Sequence, residues 1–268
     1  MRLTAACTRQ VHAYGVTLEL RAGTELLLRR MLSRMPYGAE LVAGSEPASR
    51  TYTIASPGQS APAAPGQYRL YANGRKLAAA PRPSLLLEKL GSDAMIHVAN
   101  HAPGFVFVHA GVVAWKGRAL LFPGSSFAGK TTLVASLVRA GAVYYSDEYA
   151  LLDEHGLVHP YARQLQMRHP GRTRQRSVCV SRIEGVAGTT PIPVAHIYFS
   201  RYTSKSEWNP EPIPPGLATL KMLPHAISIR RTPSRVLKTL AAVTSAACCW
   251  QSPRGDADAT RTAILATA

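Results

Sequence analysis

Long apolar stretches are the first thing this chain of 268 residues lacks, for no uninterrupted run approaches the roughly 20 residues needed to cross a bilayer. Its opening, MRLTAACTRQVHAYG, holds no apolar core of a secretory leader, so the cytoplasm is the expected compartment and no membrane partner is expected. Cysteine is scarce. Cys7, Cys179, Cys248 and Cys249 form no C-x-x-C pair and no zinc-type spacing, which predicts reduced, mostly buried thiols. Acidic residues are also in short supply, with 15 Asp plus Glu against 31 Lys plus Arg and a net charge of +16. Such a balance attracts phosphates, acidic peptides and nucleic acid alike, so it does not choose among them. The arginine-rich stretch RQLQMRHPGRTRQRSVCVSR, residues 163–182, lacks the interleaved aromatics that stack bases, which makes a nucleic-acid module the weaker reading. There is neither an internal repeat nor a heptad array.

What is present is an ordinary globular composition, 46% hydrophobic with 17% charged residues, on a chain long enough for one large domain or two small ones. The alternation Val16-Thr17-Leu18-Glu19-Leu20 predicts a strand. Thr24 then opens a helix in TELLLRRMLSRM that Pro36 stops. Residues 44–66 are rich in Gly, Ser, Pro and Ala and read as a surface connection with one short strand at Tyr52 to Ile54. Asn73-Gly74 between two apolar runs predicts a hairpin, and Ser84 is placed to cap an apolar helix. Residues 1–100 are thus expected to form a small mixed α/β layer, and residues 101–268 a separate catalytic domain.

From Phe105 the texture changes. FVFVHAGVVAW and RALLFPG are two strand-like runs joined by Lys116-Gly117, followed by a helix from Lys130 to Ala140, a short strand at Ala142 to Tyr145 and the acidic pair Asp147-Glu148. Further on, His196 to Phe199 reads as a strand, Leu217 to Leu223 as a short helix, and Ser234 to Cys249 as a longer one with Val236, Leu237, Leu240 and Val243 inward.

At the centre of this run lies FPGSSFAGKTTL. Gly124-Ser125-Ser126-Phe127-Ala128-Gly129-Lys130-Thr131 satisfies G-x-x-x-x-G-K-[ST] in full, after a strand and before a helix. In a phosphate loop the glycines let consecutive backbone amides converge on a phosphate, and the helix end beginning at Gly129 to Thr132 adds its positive pole. Lys130 is expected to bridge the β- and γ-phosphates of a nucleotide, and Thr131 to offer its hydroxyl to Mg²⁺. One helix and one strand later, Asp147 and Glu148 fall at a strand end close to the γ-phosphate. His109 is brought back to the same mouth by the hairpin. A carboxylate beside an imidazole there suits taking a proton from a hydroxyl. The bland alternatives are a helix cap for Asp147 and a core histidine for His109, with His155 and His159 as turn residues.

The segment HAGVVAWKGRALLFPGSSFAGKTTLVASLVRAGAVYYSDEYALL, residues 109–152, resembles the catalytic domain of the bacterial HPr kinase/phosphorylase family, with PYARQLQMR, 160–168, resembling it weakly. The chain as a whole is more similar to shorter HPr-kinase-related proteins, some of which are tailoring kinases of lasso-peptide precursors. The resemblance implies an α/β phosphate-loop kinase core akin to phosphoenolpyruvate carboxykinase, use of ATP with Mg²⁺, and transfer to a serine hydroxyl. It makes Lys130 and Thr131 the holders of ATP and metal, Asp147 the base, Glu148 a second acidic residue on the metal side, and His109 a supporting group. The chain departs from that family in Glu148 for a second Asp, Thr131-Thr132 for Ser-Glu, and Phe127 for a common Gly. A glycine-rich signature loop after the acidic pair is missing, so kinase action alone is expected.

The expected activity is therefore transfer of the γ-phosphate of MgATP to a Ser or Thr hydroxyl of a peptide or small protein, such as a peptide precursor. Arg163 and Arg168 stand by to steady phosphate or acceptor. A nucleotide-dependent switch or assembly protein, or a nucleic-acid-binding NTPase, remains the alternative. The sequence leaves the oligomeric state open, a homo-oligomer included.

Overall fold

A computed structural model describes residues 6–44, 46–58, 66–125, 129–168 and 175–268, the side chains of Arg168 and Gln175 excepted. The chain is mixed α/β and divides into two compact units, Met1–Pro103 and Gly104–Ala268. No described helix is long and apolar enough to cross a membrane.

The first unit runs β1 (Cys7–Ala13), β2 (Val16–Ala22), α1 (Glu25–Leu32), β3 (Glu40–Val42), β4 (Arg50–Ala55), β5 (Tyr68–Ala72), β6 (Arg75–Ala80) and α2 (Pro83–His101). Its strands form one sheet in the order β3-β1-β2-β4-β5-β6. Thr24 caps α1 by accepting from the Leu27 amide, and Asn73 and Gly74 take positive φ in the β5–β6 hairpin, as a primed turn requires. Two expectations are corrected. Tyr52 to Ile54 is a strand as expected, but it belongs to the interior strand β4 rather than to a surface connection, with Tyr52 fully buried. The cap of α2 is Arg82 without a side-chain bond, and Pro83 takes the first turn, where its missing N–H is no loss; Ser84 lies inside the helix.

The second unit follows as β7 (Val106–Trp115), β8 (Arg118–Pro123), α3 (Lys130–Arg139), β9 (Val143–Ser146), β10 (Tyr149–Leu152), β11 (Leu157–His159), β12 (Leu165–Arg168), β13 (Gln175–Val178), β14 (Ile192–Tyr202), β15 (Glu211–Pro212), α4 (Pro215–Met222), α5 (Pro233–Ala246), β16 (Cys248–Arg254) and α6 (Ala257–Thr267). The main sheet has the order β11-β10-β7-β8-β14-β16-β15, with β9 also on β7 and β11 also pairing β14. Both faces are covered, which is why β7 and β8 read as continuous apolar runs rather than alternating ones. Val113, Leu120 and Phe122 point to a core shared with Leu133, Val134, Leu137 of α3 and Ile264 of α6. Their neighbours Val112 and Leu121 point to the opposite core with Met222, Val236 and Leu240 of α4 and α5.

Gly111 is needed at the α3 crossing, since a Cβ there would lie 2.7 Å from a Val134 methyl. The C-terminal expectations need correction: the long helix ends at Ala246, and Cys248 and Cys249 belong to β16, which pairs in parallel with β14. Leu237 faces solvent, not the core. The four thiols are free, but only Cys249 is buried, while Cys179 and Cys248 are exposed. His159 is a strand residue whose ring bonds Asp153 at 2.8 Å rather than a turn residue.

Candidate functional site

Strand β7 organises the site. β8 runs antiparallel along one edge of it, and on the other edge β9 lies beside Val112 to Ala114 and β10 beside Val106 to His109. β7 thus intervenes between β8 and β9, so the acidic pair belongs not to the strand next to β8 but to the one beyond it. Ser146-Asp147-Glu148 is the step from β9 to β10. The Ser146 hydroxyl accepts from the Glu148 and Tyr149 amides at 3.1 and 2.9 Å, and the Glu148 carbonyl accepts from the Ala110 amide. This turn fixes the pair opposite the middle of β7, where β8 ends.

From that end the chain enters the Gly124–Gly129 connection. The Gly124 amide donates to the His109 carbonyl at 3.1 Å, which anchors the entry. Ser126, Phe127 and Ala128 lie outside the described residues. Gly129, with φ 78°, is the left-handed residue from which α3 departs. Lys130 opens the helix and folds back, its Nζ donating to the Gly124 and Ser125 carbonyls at 2.7 Å each. Burial lowers the Lys130 ammonium from its ordinary range, against the pull of Asp147 and Glu148.

The Thr131 hydroxyl donates to Asp147 Oδ2 at 3.0 Å. The same oxygen accepts from the Gln166 amide at 3.1 Å, and Oδ1 accepts from the Tyr144 hydroxyl at 3.1 Å. Asp147 is only 5% exposed, so both its oxygens are committed inside the fold. Glu148 is half-buried and ion-paired with Arg163. Burial raises its pKa above the ordinary carboxylate value and the adjacent Asp147 adds to this, while Arg163 and Lys130 oppose. The His109 ring lies 4.6 Å from that of Tyr149. Its imidazole pKa is held low by burial first and then by the Lys130 charge, which favours the neutral form.

Lys130, Thr131, Asp147, Glu148, His109 and Arg163 therefore converge, with Gly124, Ser125, Gly129 and Thr132 on the connection beside them. The Arg168 side chain is outside the described residues. The sequence reading missed two further groups. Arg254, at the end of β16 and 2% exposed, donates from Nη2 to the Gly129 carbonyl at 2.8 Å and lies over the Tyr202 ring. A Cβ on Gly129 would sit 2.3 Å from that nitrogen, which leaves this position to glycine alone. His225 follows α4 in a short helical turn, held beside β7 by the pairing of Ala226 with Val108, and its pKa is lowered by burial and then by Lys130. The Pro253-Arg254-Gly255 break was the available signal for Arg254; nothing local marks His225.

Two clefts flank the connection. One, of about 860 Å³, lies against Gly129, Thr132, Trp208, Arg254 and Asp256. The other, of about 1180 Å³, lies against Gly124, Ser125, Lys221 and His225. Tyr202 borders both. Among the described residues no group of three His, Cys, Asp or Glu could hold a metal ion unaided. The Thr131 hydroxyl oxygen, oriented by its bond to Asp147, is nonetheless a donor of the kind suited to Mg²⁺ that takes its remaining ligands from phosphates and water. No protein-family model matches the chain, and a search of the curated proteins finds no match.

Proposed function

We propose that the second unit is a phosphate-loop kinase core, akin to phosphoenolpyruvate carboxykinase, that transfers the γ-phosphate of ATP to a Ser or Thr hydroxyl of a peptide or small protein. The observation that carries this reading is the Thr131–Asp147 hydrogen bond. It ties the first turn of α3 to the acidic strand end, as a site for a polyphosphate and its cation requires. The cleft bordered by Thr132 and Trp208 would take the nucleoside, with its phosphates towards Gly129 and Thr131. Lys130, released from the Gly124 and Ser125 carbonyls, turns to the phosphate oxygens. Thr131, oriented by Asp147, would hold Mg²⁺, which neutralises charge on the phosphates when bound.

The environments of the two carboxylates support a division of labour opposite to the one expected from the sequence. Asp147, with three donors on two oxygens, is an orienting group. Glu148, whose pKa burial raises above the ordinary carboxylate value, takes the proton of the acceptor hydroxyl. Arg163 holds Glu148 in place, and neutral His109 shapes the wall beside it.

The test is incubation of the purified chain with radiolabelled ATP, Mg²⁺ and a degenerate library of serine and threonine peptides. Label in the peptides supports the proposal. Normal ATP binding with no transfer to any hydroxyl would sink it and leave a nucleotide-dependent switch.

A further inference from the structure

The larger cleft has an unusual floor. Lys221, on the last turn of α4, is half-buried with its Nζ about 6.0 Å above the Phe199 ring. Among the described residues no carboxylate lies within ion-pair distance of it. His225, one helical turn further on, is half-buried in the same wall and makes no hydrogen bond among the described residues. A buried-edge ammonium held over an aromatic face has lost part of its hydration without gaining a counter-ion, so it favours an anion that enters the cleft. Arg201 adds a second positive charge to the rim and Glu211 a single negative one.

The position of this floor matters as much as its charge. His225 is close enough to Lys130 for the ammonium to lower its pKa, and the cleft reaches Gly124 and Ser125 at the start of the connection. The nucleoside cleft lies at the opposite end, against Gly129 and Thr132. In-line transfer needs the acceptor and the leaving group on opposite sides of the moving phosphoryl group. The volume of about 1180 Å³ is larger than a typical small-molecule pocket, and Ser200, Asn209 and Gln251 line it with hydroxyl and amide groups that suit a peptide backbone.

Resting on the kinase reading above, we propose that this cleft is the acceptor site, and that Lys221 selects a peptide whose Ser or Thr is flanked by an Asp or Glu. The flanking carboxylate pairs with Lys221, and the hydroxyl lies at the His225 end, towards Lys130, whose charge reaches both His225 and Glu148. On transfer, the hydroxyl oxygen forms the new bond to phosphorus, the bond from the γ-phosphorus to the bridging oxygen breaks, ADP leaves, and the hydroxyl proton passes to Glu148.

The test is a phosphorylated-pool analysis of a serine peptide library randomised on both sides of the serine, with the intact chain and MgATP. Wild type is expected to enrich Asp and Glu at a flanking position about tenfold over Asn and Gln. Lys221→Gln should abolish that preference, and Lys221→Glu should turn it towards Lys and Arg. Transfer by wild type without acidic enrichment, or enrichment that survives both substitutions, overturns the acceptor assignment and leaves the kinase reading intact. Absence of any labelled pool overturns the kinase reading and this one with it.

Discussion

Arg254 and Gly129 are joined by a 2.8 Å hydrogen bond from a guanidinium to a main-chain carbonyl, across 125 residues of sequence. The last strand of the sheet therefore braces the point where the Gly124–Gly129 connection becomes a helix. A buried guanidinium makes a charge-assisted bond that a methionine cannot replace, and a lysine lacks the planar fork. Arg254→Met and Arg254→Lys should both weaken MgATP binding by about tenfold or more, read by titration with a fluorescent nucleotide. Unchanged affinity in both would show that the brace does not matter to the connection.

Asp147→Asn separates catalysis from binding. The substitution keeps the shape of the side chain and the contact with Thr131, but it removes the charge that, on the kinase reading, orients Thr131 toward the metal. Phosphotransfer should fall about 10²- to 10³-fold while nucleotide affinity changes much less. A nucleotide-dependent switch, by contrast, would keep its partner binding in this variant.

The raised pKa of Glu148 gives a pH dependence with a definite sign. A proton acceptor works only when ionised, and burial shifts that ionisation upward. The transfer rate should therefore rise with pH through an acid limb with a slope of about one as Glu148 loses its proton. Glu148→Gln should lower the rate and remove the limb. Survival of the same limb in that variant would hand the role to another group.

Gly111→Ala tests the crossing of α3 over β7. Its new methyl would meet Val134 at 2.7 Å in a closed core. A loss of about 1–3 kcal/mol is expected from such overpacking, seen as a lower midpoint in thermal or denaturant unfolding. Pairing it with Val134→Ala, which clears the obstructing methyl, should recover part of the loss beyond what adding the two single effects gives.

The stretch from Val106 to Leu152 was legible because its signals are local. Apolar runs of strand length, the glycines at 117, 124 and 129, and an amphipathic helix each point to one element, and the structure forms them there. The end of the chain was less legible for a physical reason. Ala241 to Cys249 is a run of small residues that suits a helix, and only pairing with β14 turns Cys248 to Arg254 into a strand. β1 was passed over because its half-exposed alternation is weak and is stabilised by β2 and β3 on its two sides. In the site, the loop residues and the acidic pair announced themselves by type and spacing. Arg254 and His225 did not, since each acts only through a partner that is distant in sequence. The different settings of Asp147 and Glu148 were likewise invisible, because they depend on donors from Tyr144 and Gln166 that spacing alone does not aim.

The closure of β11 between β10 and β14, together with the late arrival of Arg254, sets an order of assembly. During translation the hairpin, the connection and both carboxylates leave the ribosome well before β14 can seal the ring or β16 can supply its guanidinium. Until those strands emerge, the nascent polypeptide carries the connection and both carboxylates without the frame that holds them, and the brace on Gly129 is among the last contacts it acquires.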